Sequence, residues 1–242
     1  MASGGYALNQ PVTTINRMTD RNHLARQLTA EFLGSLLLVF TAISPIILGF
    51  NVLDAGIATA VLMDAIAVGF VLFVLIETLG PISGCHLNPA VTLAMFLTKR
   101  INGRTGVLYV MVQLVGGLLG TIASHAMFIG HDFFQWVAIS TVARGGGAFW
   151  AEFVGTFVLI LVIFGTIHHR SAQPGLIIGL LVGGFLITTS STMFANPQVT
   201  IARVFTWAMA GIRPFDAVIF VVVQITAVFV ATPIAAYLFP EH

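Results

Sequence analysis

The chain has 242 residues, 57% of them apolar and 8% charged, with a mean hydropathy of +0.99 and a net charge of +1. Soluble domains carry about a quarter charged residues, so an ordinary soluble domain is excluded, and the small net charge argues against a nucleic-acid partner. A single cysteine, Cys85, rules out an intrachain disulfide and leaves the redox compartment unread.

In chain order, residues 1–22 are polar and lack an apolar core followed by a small-residue cleavage site. They are expected to form a cytoplasmic segment rather than a cleaved signal peptide. Six stretches are then long enough to cross a bilayer: residues 24–50, 56–79, 105–128, 147–168, 174–194 and 215–238. Two shorter segments, 88–98 and 196–209, follow the second and fifth spans. An 11-residue helix such as 88–98 rises about 16 Å, half the hydrocarbon thickness. Each short segment therefore reads as a re-entrant half-helix, which survives at membrane depth only when packed in protein or lining a water-filled cavity. The fold class expected is an all-α membrane protein, with one channel domain over residues 23–242 built from six transmembrane helices and two half-helices.

The ten basic residues orient it. With an intracellular N-terminus, Arg17, Arg21, Arg26, Lys99, Arg100, Arg104 and Arg170 fall at the cytoplasmic face, and Arg144, Arg203 and Arg213 opposite. That bias favours this topology over its inverse and puts both termini in the cytoplasm of a cell (inner) membrane.

The chain also repeats itself. Ala30-Glu31-Phe32-Leu33-Gly34 recurs as Ala151-Glu152-Phe153-Val154-Gly155, and Asn88-Pro89 recurs as Asn196-Pro197. The repeats cover about 24–128 and 147–239, and each holds three spans, so the second must insert upside down relative to the first. Inverted repeats with broken helices place the transport site at mid-membrane, between the repeats.

Asparagine caps a helix start, and a proline at the next position loses nothing, because its missing N–H would be orphaned there anyway. A lone Asn-Pro reads as an ordinary loop cap. Two at equivalent places, each opening a half-membrane helix, aim two positive dipole ends at the pore centre. That field repels cations and protons, while the asparagine amides can donate to a passing neutral solute.

The stretch Ser83-Gly84-Cys85-His86-Leu87-Asn88-Pro89-Ala90-Val91-Thr92 resembles the first signature loop of the aquaporin and glycerol-facilitator family. Glu31, Glu152, the stretch 109–117 with Gln113, and the second Asn-Pro also fit, so the resemblance covers nearly all of the chain after Met18. It implies a homotetramer of independent pores that pass small uncharged molecules without a cofactor. It also implies that His86 lines the cytoplasmic half of the pore, and that Glu31 and Glu152 hold the re-entrant loops by accepting backbone N–H groups. A proton relay is the competing reading of the two glutamates.

The second motif departs from the family. Where the family usually reads Asn-Pro-Ala-Arg, this chain reads Asn196-Pro197-Gln198-Val199. Counted from the motifs without gaps, the four filter positions implied by the resemblance are Val68, Gly184, Met193 and Val199. Such a filter has no charge and no aromatic ring. It predicts a wide channel for glycerol, urea or undissociated metalloid hydroxides such as arsenite, similar to aquaglyceroporins associated with bacterial arsenic resistance.

Arg203 lies four residues past Val199, and Asp64 four before Val68, so both are expected one helical turn outward, in the outer vestibule. There they would pair, or be held separately by loop carbonyls, a neighbouring helix or a subunit contact. Gln198 replaces the motif alanine and either adds a hydrogen-bonding group to the pore or packs back on its own helix. Cys85, three before Asn88, corresponds to Met193 in the other repeat and is expected at the pore. Gly34, Gly117, Gly155 and Gly179 are expected to permit close helix crossings. His168-His169-Arg170 resembles a metal pair, but adjacent histidines at a helix end point apart, so no metal is expected.

Two other functions compete. An anion or proton-leaky channel would use a vestibule arginine. A junction protein would need outer loops, and those here are short (51–55 and 129–146). No nucleophile–base or metal constellation suggests an enzyme.

Overall fold

The computed structural model describes residues 12–240, with side chains from Asn22 onward. The expected N-terminal segment therefore lies partly outside the described residues, as do the side chains of Arg17 and Arg21. From Val12 the backbone is already helical.

Helix α1 (Val12–Ile46) continues through a π-helical turn, Ile47–Val52. α2 (Gly56–Ser83) follows, then the half-helix α3 (Pro89–Leu97) and α4 (Gly103–Ala126). The second half comprises α5 (Gly146–His168), α6 (Pro174–Thr188), the half-helix α7 (Pro197–Ala202) with a 3-10 turn over Arg203–Phe205, and α8 (Pro214–Leu238). Among the described residues there are no strands. Five helices among the described residues are long and apolar enough to cross a membrane, and α6 is shorter.

Two boundaries in the second half differ from expectation by several residues. The fifth span stops at Thr188 rather than 194, because the run Thr188-Thr189-Ser190-Ser191-Thr192 offers side-chain hydroxyls that compete with helical hydrogen bonds. The Thr189 hydroxyl accepts from the Met193 N–H at 3.0 Å and starts the descent to Asn196. The second half-helix ends at Phe205 rather than 209.

α1 packs on α4 and α2, α2 on α6, and α5 on α8. The α2–α6 crossing runs along Gly175, Gly179 and Gly183, which are four apart and so form one stripe. A Cβ on any of them would come within 2.9 Å of an α2 carbonyl oxygen. The next stripe round α6, Ile178, Val182 and Leu186, consequently faces the central cavity.

Gly179 thus serves a helix crossing as expected, whereas Gly34, Gly117 and Gly155 serve a different purpose. A Cβ on Gly34 would strike Leu87, one on Gly117 would strike Gln198, and one on Gly155 would crowd Met193 at 3.1 Å. All three leave room for the re-entrant segments, two of them from the repeated Ala-Glu-Phe-X-Gly motif.

Candidate functional site

Each half-helix starts as its sequence dictates. Asn88 Oδ1 accepts from the Ala90 N–H at 2.8 Å, and Asn196 Oδ1 accepts from Gln198 at 3.1 Å and Val199 at 3.4 Å. Pro89 and Pro197 occupy the first helical position. The amides then cross over: Asn88 Nδ2 donates to the Ala195 carbonyl at 2.8 Å, and Asn196 Nδ2 to the Leu87 carbonyl at 2.8 Å. Each motif is tied to the residue preceding the other, and each amide keeps a second N–H.

The chain leading into each motif is strained. Cys85 and Leu87 have φ of 49° and 47°, and Thr192, Met193 and Ala195 have 59°, 38° and 45°. Left-handed non-glycine residues cost of order 1–3 kcal/mol each and persist only when their surroundings hold them. Buried carboxylates do the holding. Glu31 accepts from Ser83 Oγ (2.7 Å), His86 N (2.9 Å), Leu87 N (2.8 Å) and Gln113 Nε2 (2.8 Å). Glu152 accepts from Phe194 N (2.8 Å), Ala195 N (2.8 Å) and Gln224 Nε2 (2.7 Å). Gln113 and Gln224 also donate to Thr92 and Thr200 of the half-helices, at 3.1 and 2.9 Å.

Gln224 was not singled out from the sequence. Its signal was a glutamine inside an apolar span, the second-half counterpart of Gln113.

A cavity of about 630 Å³ runs past both motifs, from Glu77 and Arg100 at one mouth to Phe194 and Arg203 at the other. Asn88, Asn196, Cys85, His86, Val68, Met193 and Val199 line it. Pro89 and Ala90 are buried behind the wall, as is Pro197. Gly184 does not line it. The α6 wall is Ile178, Val182 and Leu186, and Leu186 shares a buried cluster with Val68 and Val199. Gly184 and Leu186 are two residues apart, and two residues turn a helix by about 200°, so the two face different ways.

Gln198 is fully buried and also leaves the cavity wall. Its Nε2 donates to the Leu87 carbonyl at 3.2 Å, while its Oε1 fits against Gly117 without a hydrogen-bond partner. Cys85 is 8% exposed, with Sγ 3.4 Å from the Leu75 carbonyl. His86 is half-buried, its Nδ1 3.1 Å from Thr92 Oγ1 and its ring edge-on to Tyr109.

The position three after Asn196 is apolar, and the nearest charge stands one turn outward. Arg203 and Asp64 are brought together but not exposed: Arg203 Nη2 lies 3.5 Å from Asp64 Oδ2, with the side chains 3% and 2% accessible. Nη2 also donates to the Ala42 carbonyl at 2.6 Å, and the guanidinium lies 4.3 Å over the Phe194 ring. A second arginine, Arg144, sits 5.2 Å from the same ring and donates to the Gly211 carbonyl. Burial, and then the charge of Arg203, push the Arg144 guanidinium down to about 10, which leaves it charged at neutral pH. Neither Arg144 nor Phe194 was anticipated, since nothing local in the sequence places them together.

Three further histidines make structural contacts. His125 bridges the Trp136 carbonyl (2.9 Å) and Thr206 Oγ1 (2.7 Å), which ties the outer loop to the end of α7. The His168 and His169 rings stand at 85° to one another.

An inverted repeat, two opposed Asn-capped half-helices and a continuous cavity between them define a membrane channel. The chain belongs to the major intrinsic protein family, whose model matches residues 18–195 and stops just short of the altered second motif. It is 39% identical over 204 residues to aquaglyceroporin AqpS of Rhizobium meliloti (strain 1021), covering 84% of this chain and 85% of the relative. It is 35% identical over 197 residues to aquaporin AqpM of Methanothermobacter thermautotrophicus, covering 68% and 76%. The X-ray structure of the aquaglyceroporin from Plasmodium falciparum has the same fold, with a TM-score of 0.65 at 20% identity over 89% of this chain and 95% of that one. The protein is therefore a multi-pass membrane protein and a passive solute channel.

Proposed function

We propose that this channel passes small neutral solutes through a wide filter that lacks the usual arginine: glycerol and undissociated metalloid hydroxides such as arsenite, with some water. The single observation that carries the reading is Val199 at the cavity wall three residues after Asn196, where Val68, Leu186 and Met193 are also apolar. An apolar ring offers no hydrogen-bond donors to compensate a narrow, strongly hydrated solute, so bulkier and less polar molecules lose less on entry. The similarity to an aquaglyceroporin supports the same reading. Asn88 and Asn196 supply the central donors, His86 and Cys85 the inner wall, and the Arg203–Asp64 pair a net-neutral outer station. Assembly as a homotetramer in the cell (inner) membrane with both termini cytoplasmic belongs to this proposal.

Light scattering of proteoliposomes should show glycerol and arsenite flux above empty-liposome controls, with water and urea in the same panel. No glycerol or arsenite flux would overturn the wide filter. One observation favours ion conduction as a second reading: Arg203 lines the cavity while its Nε has no hydrogen-bond partner. A bilayer current separates the two, because a channel for neutral solutes is electrically silent.

A further inference from the structure

A second cavity, of about 530 Å³, lies apart from the asparagine motifs, where the end of α3 meets α5 and α8. Its rim is cationic: Lys99 and Arg100 close α3, with Arg100 N donating to the Met95 carbonyl and Lys99 held at φ 60°. Its walls are Phe164 from α5 and Phe229, Pro233 and Ala236 from α8. Phe229 is 55% exposed, so the cavity opens onto the outer face of α8.

Two polar groups in this apolar wall need a partner. Thr232 Oγ1 is buried without one. Pro233 has no N–H, so the Phe229 carbonyl four residues earlier lacks its helical hydrogen bond. Unsatisfied polar groups at membrane depth cost several kcal/mol each, which favours an occupant with hydrogen-bonding groups of its own. The chain offers anion binders at the rim, hydrogen-bonding groups below them, and an apolar flank continuous with the membrane-facing surface.

We propose that this cavity is a binding site for an anionic glycerophospholipid. Its phosphate sits between Lys99 and Arg100, its polar glycerol backbone reaches Thr232 and the Phe229 carbonyl, and an acyl chain lies along Phe229 and Pro233. Basic pockets between membrane helices select such head groups by charge, and a soluble phosphate would make no use of the aromatic flank. Arg100 also borders the pore cavity, so a bound phosphate stands beside the pore mouth. The site is independent of which solute the channel carries.

Native mass spectrometry of the detergent-purified protein tests it, with phosphatidylglycerol, phosphatidylcholine of the same chains, and inorganic phosphate as probes. One phosphatidylglycerol per chain should be retained in preference to phosphatidylcholine, and phosphate alone should not displace it. Lys99→Gln should reduce that preference about fivefold, the worth of one basic residue near an anionic headgroup. Ala236→Phe should fill the cavity and abolish retention, while solute flux in phosphatidylcholine vesicles stays unchanged as a check on folding. If Ala236→Phe does not fold, the isosteric Thr232→Val should still weaken retention. Equal retention of the two lipids, displacement by phosphate alone, an unchanged preference in Lys99→Gln, or undiminished retention in Thr232→Val would each overturn the proposal.

Discussion

The two re-entrant segments share a plan and differ in one turn of helix. Both begin from a strained left-handed approach pinned by a buried glutamate, and both use an asparagine that caps its own half-helix and reaches across to the other's approach. Past the cap they diverge. The first continues as Ala90-Val91-Thr92 over nine helical residues, while the second turns Gln198 away from the cavity, sets Val199 on its wall, and ends after six. The glutamate scaffold depends on backbone N–H groups, so side-chain changes inside the half-helix leave it intact. A channel of this kind can therefore alter its lining without rebuilding its frame.

The largest expected effect tests the shared part. Glu31→Ala and Glu152→Ala each strand two buried backbone N–H groups, a cost of about 2–6 kcal/mol at the usual 1–3 per group. Thermal unfolding in detergent should show both variants severely destabilised, and to a similar degree. A mild loss in either one would break the equivalence of the two scaffolds.

The next concerns the divergent outer end of the second segment. Breaking a buried ion pair by removing one partner costs about 3–5 kcal/mol. Arg203→Gln and Asp64→Asn should each show a loss of that order, and the double variant should lose less than the sum by at least about 1 kcal/mol. Simple additivity would mean that each charge is held by other contacts, such as the Ala42 carbonyl on Arg203.

A smaller effect sharpens the role of Gln198. Gly117→Ala places a methyl group against its Oε1, an overpacking worth about 1–3 kcal/mol. Adding Gln198→Ala, which brings the second motif closer to the first, should recover most of that loss in the same unfolding assay.

The smallest in energy is the most telling for function. Val199→Arg restores the usual family residue at the third position after Asn196. It should lower glycerol and arsenite flux at least tenfold, about 1.4 kcal/mol of barrier, while water flux persists. Unchanged glycerol flux would show that the constriction lies elsewhere along the cavity.

Much of this molecule was legible in the sequence because the signals are local. An apolar run of sufficient length is a span wherever it sits, and Asn-Pro starts a helix whatever surrounds it, since cap and proline act on the adjacent turn. The recurrence of Ala-Glu-Phe-X-Gly and Asn-Pro was enough to define an inverted repeat. Charges spaced four residues from Val68 and Val199 were enough to bring Arg203 and Asp64 to the same region.

Facing and burial were decided by tertiary contacts. The rotation of α6 is set by the glycine stripe pressed on α2, so Leu186 rather than Gly184 reaches the cavity. Gly34 and Gly155 close the repeated motif as small residues suited to helix crossings, yet they accommodate Leu87 and Met193 from distant loops. Arg203 and Asp64 were expected in an open vestibule, yet both are buried, under a phenylalanine shared with Arg144. The physical reason is common to all three. Sequence periodicity fixes which residues share a face of a helix, whereas the direction of that face depends on what the helix packs against, and that is settled only when every segment is in place.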